Sequence, residues 1–166
     1  MDARAPFSCQ DRNVRVDLVR DPHPDAVRAL LREYRDSLGF PLDFQYFEFE
    51  LAALPGAYAP PRGALLLARV DGADAGCVAL RPLDGDCCEL KRLYVRPAHR
   101  RLGLGRLLAG AILAEARALA YARVRLDTVP GMETAQALYR DLGFTETAPY
   151  TANPVPGVRF LELELG

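Results

Sequence analysis

The sequence is poor in metal-ligating side chains. It has two histidines, His23 and His99, and four cysteines, Cys9, Cys77, Cys87 and Cys88, none of them in a Cys-x-x-Cys pair. A zinc site is therefore not expected. Cys87 and Cys88 are adjacent within a strand pattern and point to opposite faces. That argues for buried or half-buried reduced thiols, not a disulfide framework. An excess of either charge is missing too: 21 Lys+Arg stand against 22 Asp+Glu, a formal net charge of −1. Nucleic acid is excluded as the main partner, because a strongly basic face is its usual footprint. The longest apolar runs, such as residues 64–68, are far too short to span a bilayer. The opening Met-Asp-Ala-Arg-Ala-Pro lacks the apolar stretch of a signal peptide. The expected setting is a reducing cytoplasm, with no membrane partner. Internal repeats, low-complexity segments and shifts of composition are absent as well. The 166 residues, half of them apolar, thus read as a flexible tail over 1–12 and a single domain over 13–166.

What is present alternates strand and helix patterns. Residues 14–20 alternate Val14, Val16 and Leu18 with polar residues, a first strand. Asp21-Pro22 is expected to open a helix with Asp21 as cap and Pro22 at the first position, and Gly39 to end it. Residues 41–54 read as a second helical segment. Phe40, Phe44, Tyr46, Phe47 and Phe49 place five of the chain's 14 Phe and Tyr residues within ten positions at its start, among Asp43, Glu48 and Glu50. This segment is either a helix packing aromatics onto a sheet or the wall of a pocket offering carboxylates to a cation. A Pro/Gly-rich loop follows to Arg62. Strands over 64–70, 76–81 and 87–95 then make an antiparallel run joined by Asp-Gly turns. A helix over 103–120, a strand over 123–128, a helix over 132–142, a strand over 144–148, a Pro-rich loop and a final strand over 158–165 complete the order β-α-α-β-β-β-α-β-α-β-β. It is a mixed α/β sheet with helices on both faces and one parallel β-α-β crossover.

The chain is organised around residues 86–106, where a strand runs through a proline into a two-glycine turn and a long helix. Six of the 21 Lys+Arg fall between Lys91 and Arg106, with no acid among them. A helix start has unpaired N–H groups and partial positive charge, so this cationic loop points to an anionic, phosphate-bearing ligand. Gly-Leu-Gly at 103–105 lacks the third glycine of a dinucleotide loop and the Lys-Ser/Thr of a triphosphate loop, and it follows an antiparallel hairpin; both of those loops are disfavoured.

Arg100-Arg101-Leu102-Gly103-Leu104-Gly105 resembles the Arg/Gln-x-x-Gly-x-Gly/Ala signature of the GNAT superfamily, the acetyl-coenzyme A-dependent N-acetyltransferases. A strand ending Leu-Tyr-Val-Arg-Pro precedes it, and Ala135-x-x-Leu138-Tyr139-x-x-x-Gly143-Phe144 resembles the family's second motif. The resemblance implies a mostly antiparallel sheet with one splayed parallel strand pair, and acetyl-coenzyme A as co-substrate with no metal. It implies that backbone at Leu93, Tyr94 and Val95 pairs with the pantetheine arm and that amides from Arg100 through Arg101, Leu102, Gly103, Leu104 and Gly105 to Arg106 hold the pyrophosphate. It implies further that Tyr139 protonates the leaving thiolate and that Glu89 occupies the place of a general base. Acyl transfer to an amine needs a proton acceptor and an oxyanion donor, which these roles supply. Glu89 has a second reading, a strand residue paired with Lys91 two positions on. The Asn that family members often carry seven residues before the tyrosine is Met132 here.

The expected acceptor is a primary amine of a small molecule, bound near Tyr46, Glu48, Glu50 and Tyr150 and acetylated by direct attack in a ternary complex. A peptide N-terminus or lysine, and a non-catalytic acyl-coenzyme A sensor, are the alternatives. The alternating strand over 158–165, left unpaired, would favour a homodimer.

Overall fold

The computed structural model describes residues 14–43 and 46–166. The expected tail over 1–12, Cys9 and Phe44 lie outside the described residues.

Seven strands form a single sheet: β1 Val16–Arg20, β2 Ala64–Val70, β3 Ala73–Asp84, β4 Cys87–Val95, β5 Arg123–Thr128, β6 Thr145–Glu146 and β7 Arg159–Glu164. Their spatial order is β1-β2-β3-β4-β5-β7-β6. Every pairing is antiparallel except β4 with β5. The crossover between those two is α3, Leu104–Ala118, as a parallel pair requires. The expected element order holds throughout, and β4 and β5 start and end where the sequence pattern places them.

The sheet is covered on both faces, which explains why β2 reads as an apolar run over residues 64–68. Leu65 and Leu67 of β2 join Cys77 and Ala79 of β3 beneath α1, Pro24–Ser37, and α2, Phe47–Ala53; Val27, Leu30, Leu31, Phe47 and Leu51 fill that side. Leu66 and Ala68 face the other way. They join Cys88, Leu90, Val124 and Leu126 beneath α3 and α4, Glu133–Asp141. The buried stripe of α3 is Leu104, Leu108, Ala109, Ile112, Leu113 and Ala116. Beside it Leu107, Ala111 and Leu119 are half-buried, and Ala118 is exposed.

Helix starts were misplaced by the sequence pattern. α1 begins at Pro24, not Pro22, and its cap is His23, whose Nδ1 accepts from the Asp25 amide at 3.2 Å. Asp21 instead sits in the left-handed region at φ 48°, its amide tied to the Leu65 carbonyl. It closes the entry from β1, and Pro24 takes the first helical position that suits its missing N–H. α2 is shorter than expected because Tyr46 precedes it at φ 54°. A seven-residue helix can bury only one narrow stripe, so Phe47 goes inside while Tyr46 and Phe49 stay exposed. β3 runs on through Pro82 to Asp84 with a register shift at that point. β6 is cut to two residues because Phe144 turns into the core, edge-on to Tyr139 at 5.7 Å. The last strand is not left unpaired: β7 lies between β5 and β6. No helix among the described residues is long and apolar enough to cross a membrane.

Candidate active site

The site is made where the parallel pair comes apart. β4 and β5 share three rungs, Cys87 with Arg123, Cys88 with Val124 and Glu89 with Arg125. Beyond these both strands continue without pairing to each other. A bulge in β4 drives the parting. Cys77 pairs with Tyr94 and Ala79 with Lys91, so Arg92 and Leu93 together oppose Val78, and Arg92 takes φ 61°. A bulge of this kind bends its strand and sharpens the local twist. The free edge of β4 over Leu93, Tyr94 and Val95 faces the gap.

β4 leads into a short 3-10 turn, Pro97–His99, and then into the loop before α3. Arg101 and Gly103 both have positive φ, 67° and 76°, and α3 has no side-chain cap. Among the described residues, no acceptor meets the amides of Arg101, Leu102, Gly103, Leu104, Gly105 or Arg106; the first satisfied one is Leu107, on the Gly103 carbonyl at 3.0 Å. Six consecutive unpaired donors at a helix N-terminus form an anion cradle. A Cβ at Gly103 would meet nothing within 4 Å, so the loop is open on the ligand side.

The cationic run serves this cradle less than its sequence position implied. Arg106 pairs with Asp141 at 2.9 Å and Arg96 with Glu33 of α1 at 2.7 Å. Arg92 turns inward to Glu50 at 2.9 Å, and Lys91 lies 3.7 Å from Glu89. Arg100 donates to the Val95 carbonyl at 3.1 Å, and neither it nor Arg101 meets a carboxylate among the described residues. The cradle is thus mostly backbone, with two arginines beside it.

The face of the gap under α1 and α2 is polar and closely wired. Glu89 is buried, 1% exposed. Arg81 donates to its Oε1 at 2.8 Å and the Tyr150 hydroxyl to its Oε2 at 2.7 Å. Burial pushes the Glu89 carboxyl up, but Lys91, Arg81 and the Tyr150 bond outweigh it and leave it below the usual carboxylate range. Burial likewise lowers Lys91, and Glu89 pulls back against that shift. Tyr150 stacks edge-on against Phe160 at 5.4 Å and lies under Arg125. Burial and the neighbouring Glu89 charge raise its hydroxyl.

Asp127 stands across the gap on β5. Asn153 Nδ2 donates to its Oδ2 at 2.9 Å, while the Val155 amide donates to Asn153 Oδ1 at 3.0 Å and so fixes which way that amide points. The loop between β6 and β7 therefore ties down a carboxylate on each parted strand, Glu89 through Tyr150 and Asp127 through Asn153. Tyr139 on α4 is buried with its ring against Phe144, and burial raises its hydroxyl; among the described residues no partner accepts from it. The hydroxyl feels the charge of Asp127, as do those of Tyr34 and Tyr150.

The expected acceptor residues do not gather at one point. Glu50 is bound by Arg92 and by the Tyr58 hydroxyl at 2.7 Å. Arg92 is sandwiched by the Tyr34 and Phe47 rings, at 5.9 and 4.8 Å. Glu48 pairs with Arg35 at the surface, and Tyr46 is 78% exposed. Tyr150 alone of that group reaches the gap. The sequence reading passed over Asp127 and gave Lys91 no role beyond pairing or solvent. A compositional signal marks Lys91: it is the chain's single lysine, beside twenty arginines.

Comparison with known proteins places this geometry in context. The family model described as the acetyltransferase (GNAT) family matches residues 24–144. An uncharacterized N-acetyltransferase of Schizosaccharomyces pombe is 41% identical over 92% of this chain and 96% of its own length. An IAA acetyltransferase of Azospirillum brasilense is 34% identical over 90% of this chain and 98% of its own. Among solved structures, a GNAT-family acetyltransferase of Staphylococcus aureus Mu50 superposes with a TM-score of 0.75 over 91% of this chain and 99% of that one, at 18% identity. A Salmonella typhimurium acetyltransferase structure, described with its cofactor acetyl-CoA, superposes with a TM-score of 0.63 over 90% and 94%, at 21% identity.

Proposed function

This chain belongs to the GNAT family of acetyltransferases, and from that membership we propose that it moves the acetyl group of acetyl-coenzyme A to the primary amine of a small molecule, by direct attack in a ternary complex. The observation that carries the reading is the row of six unpaired amides from Arg101 to Arg106, opening beside the parted edge of β4. That cradle fits a pyrophosphate, and the free edge over Leu93, Tyr94 and Val95 offers backbone partners to an extended amide-bearing arm. When bound, the coenzyme supplies an acyl thioester. Arg100 and Arg101 flank its phosphates, and Leu102, Gly103, Leu104, Gly105 and Arg106 donate to them through the backbone. The reduced, buried thiols Cys77, Cys87 and Cys88 suit a cytoplasmic enzyme.

Tyr139 is the proton donor to the departing thiolate in this reading. Its buried hydroxyl stays protonated across the working pH range, as a donor must. We expect Tyr139→Phe to lower kcat by about a hundredfold, the low end for a positioned acid. Coenzyme affinity, read as the rise in melting temperature with acetyl-coenzyme A, should hold. An unchanged kcat would remove Tyr139 from the chemistry.

Two carboxylates compete for the amine's proton. Glu89 has both oxygens engaged and is held as a tight counterion by Arg81, Lys91 and Tyr150. Asp127 has one engaged oxygen and its charge acts on the Tyr139 hydroxyl, so we assign it the base and leave Glu89 to fix Tyr150 and the cations. Asp127→Asn should then cost about a hundredfold in kcat, and Glu89→Gln should act mainly through acceptor KM and stability. The reverse pattern would return the base to Glu89.

Thiol release from acetyl-coenzyme A across a panel of amines tests the function itself. A melting shift with the coenzyme but no thiol from any amine would identify a coenzyme sensor instead.

A further inference from the structure

Past the rung of Glu89 with Arg125 the parted strands share no further rungs. The loop between β6 and β7 bridges them with side chains instead. Tyr150 donates to Glu89 Oε2 on β4 at 2.7 Å, and Asn153, three residues on, donates to Asp127 Oδ2 on β5 at 2.9 Å. The loop has its own anchors. On the way in, the Thr147 amide donates to the Phe160 carbonyl at 2.9 Å; on the way out, the Val158 amide donates to the Val155 carbonyl at 3.2 Å. Gly157, at φ 79°, lies against the turn that follows β5, where an added Cβ would meet Pro130 Cγ at 2.7 Å. Pro149, Pro154 and Pro156 remove further backbone freedom.

An asparagine amide can present either a donor or an acceptor to its neighbour. Here the choice is fixed. The Val155 amide donates to Asn153 Oδ1 at 3.0 Å, so the oxygen must lie on that side and the NH2 group must face Asp127. Pro154 keeps Asn153 out of the helical region, which holds the side chain's starting direction. The other groups that act on Asp127 come from four directions: Tyr34 of α1, Lys91 of β4, Tyr139 of α4 and Tyr150 of the same loop. A donor bonded to one oxygen favours the ionised carboxylate and fixes its plane.

We infer that Asn153 is a positioning residue for acetyl transfer, holding Asp127 by Oδ2 so that Oδ1 takes the proton of the acceptor amine. This rests on the acetyl-transfer reading above, with Asp127 as base. The amine gives up that proton as its nitrogen bonds to the acyl carbon. The C–S bond breaks, the departing sulfur takes the Tyr139 proton, and exchange with solvent restores both residues. A carboxylate free to rotate spends less time aimed at the amine, so the loss of Asn153 is felt in the chemical step.

The test is a double-mutant cycle on the full chain, read as thiol release from acetyl-coenzyme A with the panel amine that the parent protein turns over fastest. Asn153→Ala should lower kcat about tenfold, the low end for a lost bond to a charged group, with the KM for acetyl-coenzyme A unchanged. In an Asp127→Asn background the same substitution should cost less than about twofold, because a residue that acts through another loses its effect with it. Asn153→Asp has the same shape and can keep the Val155 bond, but it offers Asp127 a like charge in place of a donor. Its kcat should fall at least as far as that of Asn153→Ala, and it decides the matter if Asn153→Ala does not fold. A loss confined to the acceptor KM, a full tenfold loss that persists in the Asp127→Asn background, or a wild-type kcat in Asn153→Asp would overturn the inference and leave Asp127 as the base. A wild-type kcat in Asp127→Asn would overturn the base and this inference together. Thiol from no amine at all would overturn acetyl transfer itself, and the inference with it.

Discussion

Gly103→Asp is expected to keep its fold and lose its coenzyme. Asp tolerates the positive φ of this position better than most side chains, and no atom lies within 4 Å of where its Cβ would go. Gly103 is the N-cap of α3, which has no side-chain cap of its own, so the new carboxylate can accept from the orphan amides of the first turn. That helps the helix, by up to about 1 kcal/mol. The same carboxylate then fills the cradle and repels a pyrophosphate. Two like charges about 4 Å apart near a protein surface cost about 4 kcal/mol. Coenzyme affinity should thus drop by roughly three orders of magnitude. Calorimetric titration with coenzyme A, alongside a thermal melt of the free protein, reads both effects. A folded variant with wild-type affinity would show that the anion binds elsewhere.

Glu50→Ala is expected to be a strongly destabilising truncation of α2. It leaves Arg92 buried, its side chain 3% exposed, with no counterion for a guanidinium that cannot shed its charge. Burial opposes the charge on Arg92, and the Glu50 bonds more than reverse this. The Tyr58 hydroxyl loses its acceptor as well. Breaking a buried pair from one side costs about 3–5 kcal/mol. A chain of this size then melts about 6–20 °C lower. Replacing both partners with apolar residues, Glu50→Leu with Arg92→Met, should recover a large part of the loss, because the uncompensated charge goes with the pair. If Glu50→Ala melts within 2 °C of the parent, α2 is not held by this pair.

What could be read from the chain follows the range of the interactions. The element order, the limits of β4 and β5, and the loop before α3 depend on local periodicity, glycine and proline, and they were legible. So was the place of Tyr139 on the helix after β5, through a motif of ten residues. The partners of the charged groups were not. Arg92 meets Glu50 from 42 residues away, and Arg96 meets Glu33 from 63. No spacing rule reaches that far, so cations that looked like one anion-binding run are largely spent on separate carboxylates. Asp127 was hidden for a related reason. It reads as the polar alternate of a short strand, and its place on the wall of the gap appears only once β4 and β5 part beyond Glu89 and Arg125 and Asn153 donates to it from the last loop. The start of α2 failed locally: five aromatics suggested a long helix, and the left-handed turn at Tyr46 leaves room for only two turns.

The single lysine has a consequence outside the site. Acetyl thioesters react slowly with any exposed lysine amine, whether or not an enzyme directs them. Here the one lysine is buried against Glu89, and the rest of the positive charge is carried by arginine, which such esters leave alone. The side-chain charge of the outer surface therefore does not change however high the acetyl-donor concentration around the protein rises.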